Sequence, residues 1–228
     1  MASNYDETVK TVVRDLLNYA TAVQNYFNIR QRHPINSTPI NDCLSDEDKV
    51  SRYSDDMLVT TAPDAPKVPE NTNLSCIWKT YSTVNLDAAI SINFFAEPGK
   101  FAGMLYWTEA AYNSTETLSF ANKSNVFEVS SRNMPVNGND EETSSATVGG
   151  IYAKDIADLH YVCMYAGSAD SYTYSTVKVD SVAYYLTRMI QKITEEGYLE
   201  NSENDYLLQA CQNMLAYGDS AKAYADGN

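Results

Sequence analysis

The hydrophobic and polar positions change period twice along this 228-residue chain. Over residues 5–28, Val9, Val12, Leu16, Ala20, Val23 and Phe27 recur at steps of three and four, which places them on one stripe of an α-helix. Val13, Leu17 and Tyr19 widen that stripe. The pattern stops before His33-Pro34, since a residue preceding proline is driven out of helical geometry. Residues 29–72 read as connection, with five of the seven prolines. Within it Ser45-Asp-Glu-Asp48 can cap one helical turn, and Pro63, Pro66 and Pro69 mark an extended strip.

From residue 73 to 179 the period falls to two. In AISINFF (Ala89–Phe95), Ile90, Ile92 and Phe94 alternate with Ser91 and Asn93. LSCIWKTYSTV, FAGMLYW, NVFEV, LHYVCMYAG and SYTYSTVKV are further strand candidates, and Glu97-Pro-Gly-Lys100 and Asn137-Gly138 supply turns. Gly149-Gly150 followed by Ala153–Leu159 reads as a short helical turn leading into a strand. Helical spacing returns over 180–225, first with Val182, Tyr185, Met189 and Ile193, then with Leu207, Cys211, Met214, Gly218, Ala221 and Ala225. Gly197 separates the two stripes, and Glu200-Asn-Ser-Glu203 is a start signal for the second. The expected fold is a single α+β unit over 1–228. It comprises a helix at 5–28, a Pro-rich connection at 29–72, an antiparallel Ig-like β-sandwich at 73–179 and two C-terminal helices within 180–225.

The first and last helices share a phrase. LNYATAVQNYF (Leu17–Phe27) and LAYGDSAKAYA (Leu215–Ala225) both run Leu, any residue, Tyr, then spaced small residues, then Tyr. Ala20, Ala22 and Val23 correspond to Gly218, Ser220 and Ala221, small enough to let a helix or sheet approach closely. Tyr19 and Tyr26, matched by Tyr217 and Tyr224, are expected to clasp the edges of that contact with their hydroxyls in water.

These residues resemble an uncharacterised module of large extracellular proteins of gut Clostridia, the ruminococci and their relatives, in which a helix like LLNYGAAAQ-YF closes a β module. DLLNYATAVQNYF (Asp15–Phe27) resembles that helix with Ala20 in place of the glycine, and QNMLAYGDSAKAYA (Gln212–Ala225) resembles it again with the glycine present. LDAAISINFF, MLYWTEAAY, GIYAKDIADLHYVCMYA and YSTVKVDSVAYYL resemble the family's core strand, its middle and its exit into a helix, in the family's order. The resemblance implies an extracellular or cell-surface location and a modular host, with the first helix like the closing helix of a preceding module. It implies no activity.

Charge narrows the classes of partner. With 16 basic and 30 acidic residues the net charge is −14, which opposes binding to a phosphate backbone or an anionic membrane surface. No apolar run approaches a membrane span, so no membrane insertion is expected. Met-Ala-Ser-Asn-Tyr-Asp-Glu lacks the basic and apolar regions of a signal peptide, so the chain reads either as cytoplasmic or as a fragment of a longer protein, and the resemblance favours the fragment. Cys43, Cys76, Cys163 and Cys211 form no Cys-x-x-Cys pair. Cys76 and Cys163 fall in expected strands and could meet, but buried free thiols are the expectation.

Candidate chemistry is sparse. The two histidines are His33 and His160, and there is no Gly-x-Ser-x-Gly turn for a catalytic triad. No zinc spacing occurs, and Asn137–Glu142 (NGNDEE) lacks the register of a calcium loop. No glycine-rich phosphate loop follows a strand. Paired carboxylates for glycoside hydrolysis would need a deep cleft that a β core of this size rarely builds alone. Non-catalytic contact with a glycan or a protein has more support. Trp78, Tyr81, Tyr106, Trp107 and Tyr112 are the candidate contact residues, since sugar faces stack on aromatic rings. Tyr106 and Trp107 are adjacent in an expected strand, so they face opposite sides and one belongs to the core.

The expectation is a non-catalytic structural or interaction module without metal or cofactor, engaging a protein partner or a neighbouring module. A carbohydrate-binding module is the alternative, and a virion or appendage subunit a further one.

Overall fold

The computed structural model describes residues 6–29, 38–76, 78–84, 90–96, 101–136, 139–168, 171–197 and 201–227. They fall into two compact units: Met1–Thr60 with Ala153–Ala157 and Leu186–Asn228, and Thr61–Tyr152 with Asp158–Tyr185. The fold is α+β, with antiparallel sheets and four α-helices among the described residues.

The first unit is helical. Helix α1 (Glu7–Ile29) starts where the Asp6 carboxylate accepts the Thr8 amide at 3.1 Å, the usual task of a side chain at a helix N-terminus. It packs along the C-terminal helix, Asn201–Gly227. The buried face of α1 differs from the expected apolar stripe. Asp15, Asn18, Tyr19, Ala22 and Gln24 are buried, whereas Leu16, Ala20, Val23 and Phe27 are half-buried.

The reason is the connection, which lies on α1 and takes its hydrogen bonds from α1 side chains. Asn18 donates to the Asp48 carbonyl at 2.8 Å and accepts from the Asn41 amide group at 2.8 Å. Gln24 donates to the Thr38 carbonyl at 3.0 Å and accepts the Ile40 amide at 3.2 Å, and Thr21 accepts the Asn41 amide at 2.9 Å. Backbone outside regular structure that lies against a helix needs hydrogen-bond partners, and these polar α1 positions supply them.

Arg52 closes the arrangement. Its guanidinium donates to Asp15 of α1 at 3.0 Å, and to the Ala216 carbonyl at 3.3 Å and Asp219 at 2.6 Å in the C-terminal helix. Arg14 lies 3.4 Å from the same Asp15, whose side chain is buried.

Of the two tyrosine pairs expected to clasp the helices, Tyr19 and Tyr217 stack on each other, with ring centroids 6.1 Å apart and planes 15° from parallel. Tyr26 packs instead on its neighbour Phe27, and Tyr224 is 41% exposed. The Tyr19 hydroxyl, expected in water, is buried and has no hydrogen-bond partner among the described residues. Leu17 and Ala221 are half-buried and Leu215 is buried.

Gly218 meets a short turn where a long helix or a sheet was expected. It faces the 3-10 turn Ala153–Asp155 and Ile156 behind it. A Cβ there would overlap Ile156 Cδ1, stand 2.7 Å from Ile156 Cγ1 and crowd the Ala153 carbonyl oxygen at 3.2 Å. The C-terminal helix is buried at four successive positions, Asn213–Ala216, so it is enclosed on all sides there rather than along one stripe.

The second unit holds two sheets. In the first the order is β1 (Trp78–Val84), β2 (Ile90–Ala96), β6 (Asn139–Ile151), β5 (Ser130–Val136), every pair antiparallel. In the second it is β4 (Asn125–Phe127), β3 (Gly103–Thr108), β7 (His160–Ala166), β8 (Thr173–Tyr174), with β9 (Lys178–Asp180) also paired to β7. All seven residues of β2 are buried, so both of its faces are covered. One face carries Ile92 and Phe94. The other carries Asn93, which accepts the Thr147 hydroxyl at 2.6 Å.

Strands β5 and β6 were not visible in the period-two pattern. β6 is thirteen residues long and polar, with buried Thr143, Ser144 and Ser145, and it includes part of the NGNDEE stretch read as a loop. Both expected turns, Glu97–Lys100 and Asn137-Gly138, lie outside the described residues.

A short helix absent from the expectation, α2 (Glu109–Ser114), follows β3 directly, with the Thr108 hydroxyl accepting the Ala111 amide at 3.2 Å. The last two helices are α3 (Val182–Gln191), extended by a π-helical turn at Lys192–Glu196, and α4 (Asn201–Gly227). In α3 the buried stripe is Val182, Ala183, Leu186, Thr187 and Ile190, one position round from the expected Tyr185 and Met189, which are half-buried.

Two substitutions test this packing. Arg52→Met leaves Asp15 charged and buried beside Arg14 alone, and should lower unfolding free energy in urea by about 3 kcal/mol. Adding Asp15→Asn should recover most of that loss. Gly218→Leu should cost about 3 kcal/mol through overpacking against Ile156, and an unchanged melting temperature would mean that α4 does not seat on the Ala153 turn.

Candidate functional site

The register of β3 on β7 sorts the candidate contact residues onto two faces of the second sheet. Leu105 lies opposite Cys163 and Trp107 opposite Tyr161, while Met104 lies opposite Met164 and Tyr106 opposite Val162. Successive strand residues point to opposite faces, so Trp107 and Tyr106 part company.

The Trp107 face is an aromatic core. Leu105, Trp107, Tyr112, Leu118, Tyr161, Cys163, Tyr165, Tyr174 and Val179 form one buried cluster. Tyr112 of α2 stacks on Tyr161 with centroids 3.8 Å apart and planes 9° from parallel. Phe120 stacks on Tyr172 at 4.6 Å and meets Tyr165 edge-on at 5.3 Å. Trp107 Nε1 donates to Asn122 Oδ1 at 3.2 Å, and the Tyr174 hydroxyl accepts the Phe120 amide at 3.1 Å. Trp107 is 0% exposed and Tyr112 3%, so neither presents a ring face to a ligand.

Lys67, in the Pro-rich strip, pins α2 to this cluster. Its backbone amide donates to the Tyr112 hydroxyl at 2.8 Å. Its ammonium donates to the carbonyls of Tyr112 at 2.5 Å, Asn113 at 3.2 Å and Thr115 at 2.9 Å, and lies 4.7 Å from the Tyr112 ring centroid. A cation at the C-terminal end of a helix satisfies carbonyls that have no partner within the helix.

Burial raises the phenol pKa values of Tyr112, Tyr161, Tyr165 and Tyr174, and it pushes the Cys163 thiol up as well, so these groups stay protonated at neutral pH. A protonated, enclosed thiol is a poor nucleophile. Cys211, buried in α4, is likewise pushed up to about 12 by burial.

The opposite face carries the polar candidates. Tyr106 is half-buried, packs edge-on against Phe127 at 5.7 Å and has its hydroxyl 3.1 Å from His160 Nδ1. His160 lies opposite Asp180 in the register. Among the described residues the hydroxyl bonded to His160 is the Tyr106 phenol, whose pKa burial raises, so it stays protonated at neutral pH. Among the described residues no group of three or more His, Cys, Asp or Glu side chains is placed to hold a metal ion.

Trp78 and Tyr81 lie in β1, opposite Ala96 and Asn93, and their side chains are outside the described set, as is all of His33. Sequence reasoning missed Lys67, Asn122 and Tyr161. A lysine between two prolines three residues apart (Pro66 and Pro69) was the available signal, since a long cation in an otherwise extended strip needs an acceptor.

No described helix is long and apolar enough to cross a membrane. The chain matches no family model, and no curated protein or solved structure is similar to it.

Lys67→Met keeps the aliphatic stem and removes the ammonium. It should cost about 1–2 kcal/mol and speed hydrogen exchange of the α2 amides. Exchange at wild-type rates would show that the ammonium does not hold the helix end.

Proposed function

We propose that the chain is a non-catalytic structural and interaction module of an extracellular or surface-exposed bacterial protein, engaging a protein partner or a neighbouring module. The observation that carries this reading is the use of the aromatic side chains. Trp107 and Tyr112, two of the five rings that could form a sugar platform, are enclosed in the unit's own core, with Tyr112 stacked on Tyr161 and its hydroxyl bonded to the strip. Rings used as internal struts stabilise a fold but recognise nothing.

The excess of 30 acidic over 16 basic residues supports a well-solvated exterior facing other than a polyanion. The reading includes an Ig-like sandwich of the two sheets, supported by the burial of β2 at every position and of β7 at all but its last.

The test is a panel of plant cell-wall, starch and mucin polysaccharides, scored by array binding and by thermal shift. The expected result is no binding and an unchanged melting temperature. A ligand at 100 times its dissociation constant would add about 2.7 kcal/mol of stability. Saturable binding with such a shift, lost in Tyr81→Ala, would replace this reading with that of a carbohydrate-binding module.

A further inference from the structure

His160 stands in β7 between β3 and β9 and is 6% exposed. Its Nε2 atom is buried and has no hydrogen-bond partner among the described residues. Its other nitrogen, Nδ1, is 3.1 Å from the Tyr106 hydroxyl of β3. The neighbouring register positions are Thr108 on β3 and Asp180 on β9.

The charged and titratable groups around the ring can be named element by element. From β3 there is Tyr106, whose pKa is raised by burial and then by the Asp158 carboxylate. From β9 there are Asp180, which is buried, and Lys178, whose ammonium is 3.9 Å from Asp180 Oδ2. Asp180 Oδ1 also accepts the Ser181 amide at 3.0 Å. The Asp180 carboxylate opposite the ring is therefore already shared with a lysine and a backbone amide.

We infer that His160 is an acid-sensitive latch: the neutral, buried ring accepts the Tyr106 hydroxyl and holds β7 to β3, and acid favours the unfolded chain, whose ring takes up the proton that the enclosed ring resists. Charging Nδ1 turns the acceptor into a donor, so the Tyr106 hydroxyl must turn to accept, and it places a cation where water cannot reach it. Asp180 favours that cation, but burial outweighs it, and the ring's pKa falls from 6.5 to about 4.

The unfolded chain, with an unperturbed ring, takes up the proton first. The stabilisation from a neutral His160 is complete above pH 6.5. It declines as pH falls through the window between 6.5 and about 4, where it is fully lost. Carboxylates titrate mostly below about pH 5, and the chain has only two histidines, so the slope between pH 7 and pH 5 is readable.

Thermal and urea unfolding of the full chain at pH 7, 6 and 5 tests the latch. The unfolding equilibrium constant of the wild type should rise about 20-fold between pH 7 and pH 5, with a melting temperature lower by about 5 °C. His160→Asn keeps an acceptor near the Tyr106 hydroxyl and cannot titrate, so its profile should be flat over the same range. A fall as steep as that of the wild type would overturn the latch.

If His160→Asn fails to fold, the ring 13Cε1 resonance of His160 decides, assigned against His33→Gln. It should remain that of a neutral ring at pH 5, with its midpoint raised in Tyr106→Phe. A wild-type midpoint near 6.5 would overturn the inference.

Discussion

The helical unit depends on Asp15. It is a carboxylate on α1 that is 2% exposed, and Arg52 ties it to α4 through the Ala216 carbonyl and Asp219. A buried charge is tolerated only when paired and hydrogen-bonded. Arg52 therefore has to be delivered to that spot, and the chain from Thr38 to Arg52 has to lie along α1 to deliver it. Asn18, Thr21 and Gln24 satisfy that chain's backbone and Asn41 on the way. The Tyr19–Tyr217 stack and the close seat of Gly218 on Ile156 follow from the same approach of helices and turns.

The sheet unit rests on a different economy of side chains. Its tyrosines line the interior, with rings stacked on one another and hydroxyls turned to backbone amides at Lys67 and Phe120. Tyrosine suits such a place because it brings apolar area and a polar tip together. A lysine capping α2 and an asparagine holding the Trp107 indole complete the satisfaction of polar groups. The two faces of the second sheet thus differ in kind. One is a closed aromatic core, and the other carries Tyr106, His160, Lys178 and Asp180 as a polar row around a buried imidazole. The proposed structural role draws on the first face and the acid-sensitive latch on the second.

Much of the element order was legible from period alone. The N-terminal helix, strands β1 to β4 and β7, and the two C-terminal helices stand where the apolar repeats place them, since those repeats reflect one buried face each. The strand pattern failed at β5 and β6, where Ser, Thr, Asn and Glu give no alternation of hydrophobicity even though the centre of β6 is buried. Backbone pairing to β2 decides that strand, and pairing between distant segments leaves no local trace when the side chains are small and polar. The stripe of α1 failed for the opposite reason: its apolar residues are real, but the face that is most buried is the one covered by the polar connection.

For the candidate site, the sequence alone determined the inventory: two histidines, scattered cysteines, many tyrosines, a strong negative charge and the adjacency of Tyr106 and Trp107 that must send them to opposite faces. Alternation along a strand is a property of the backbone, so it can be read without a partner. Which of the two would be core, that Tyr112 would stack on Tyr161, and that His160 would face Tyr106 with its other nitrogen unpaired among the described residues, were decided only by tertiary structure. Those relations depend on register between strands and on which segment covers each face. Both arise from packing between parts of the chain far apart in sequence, where local patterns carry no information about who meets whom.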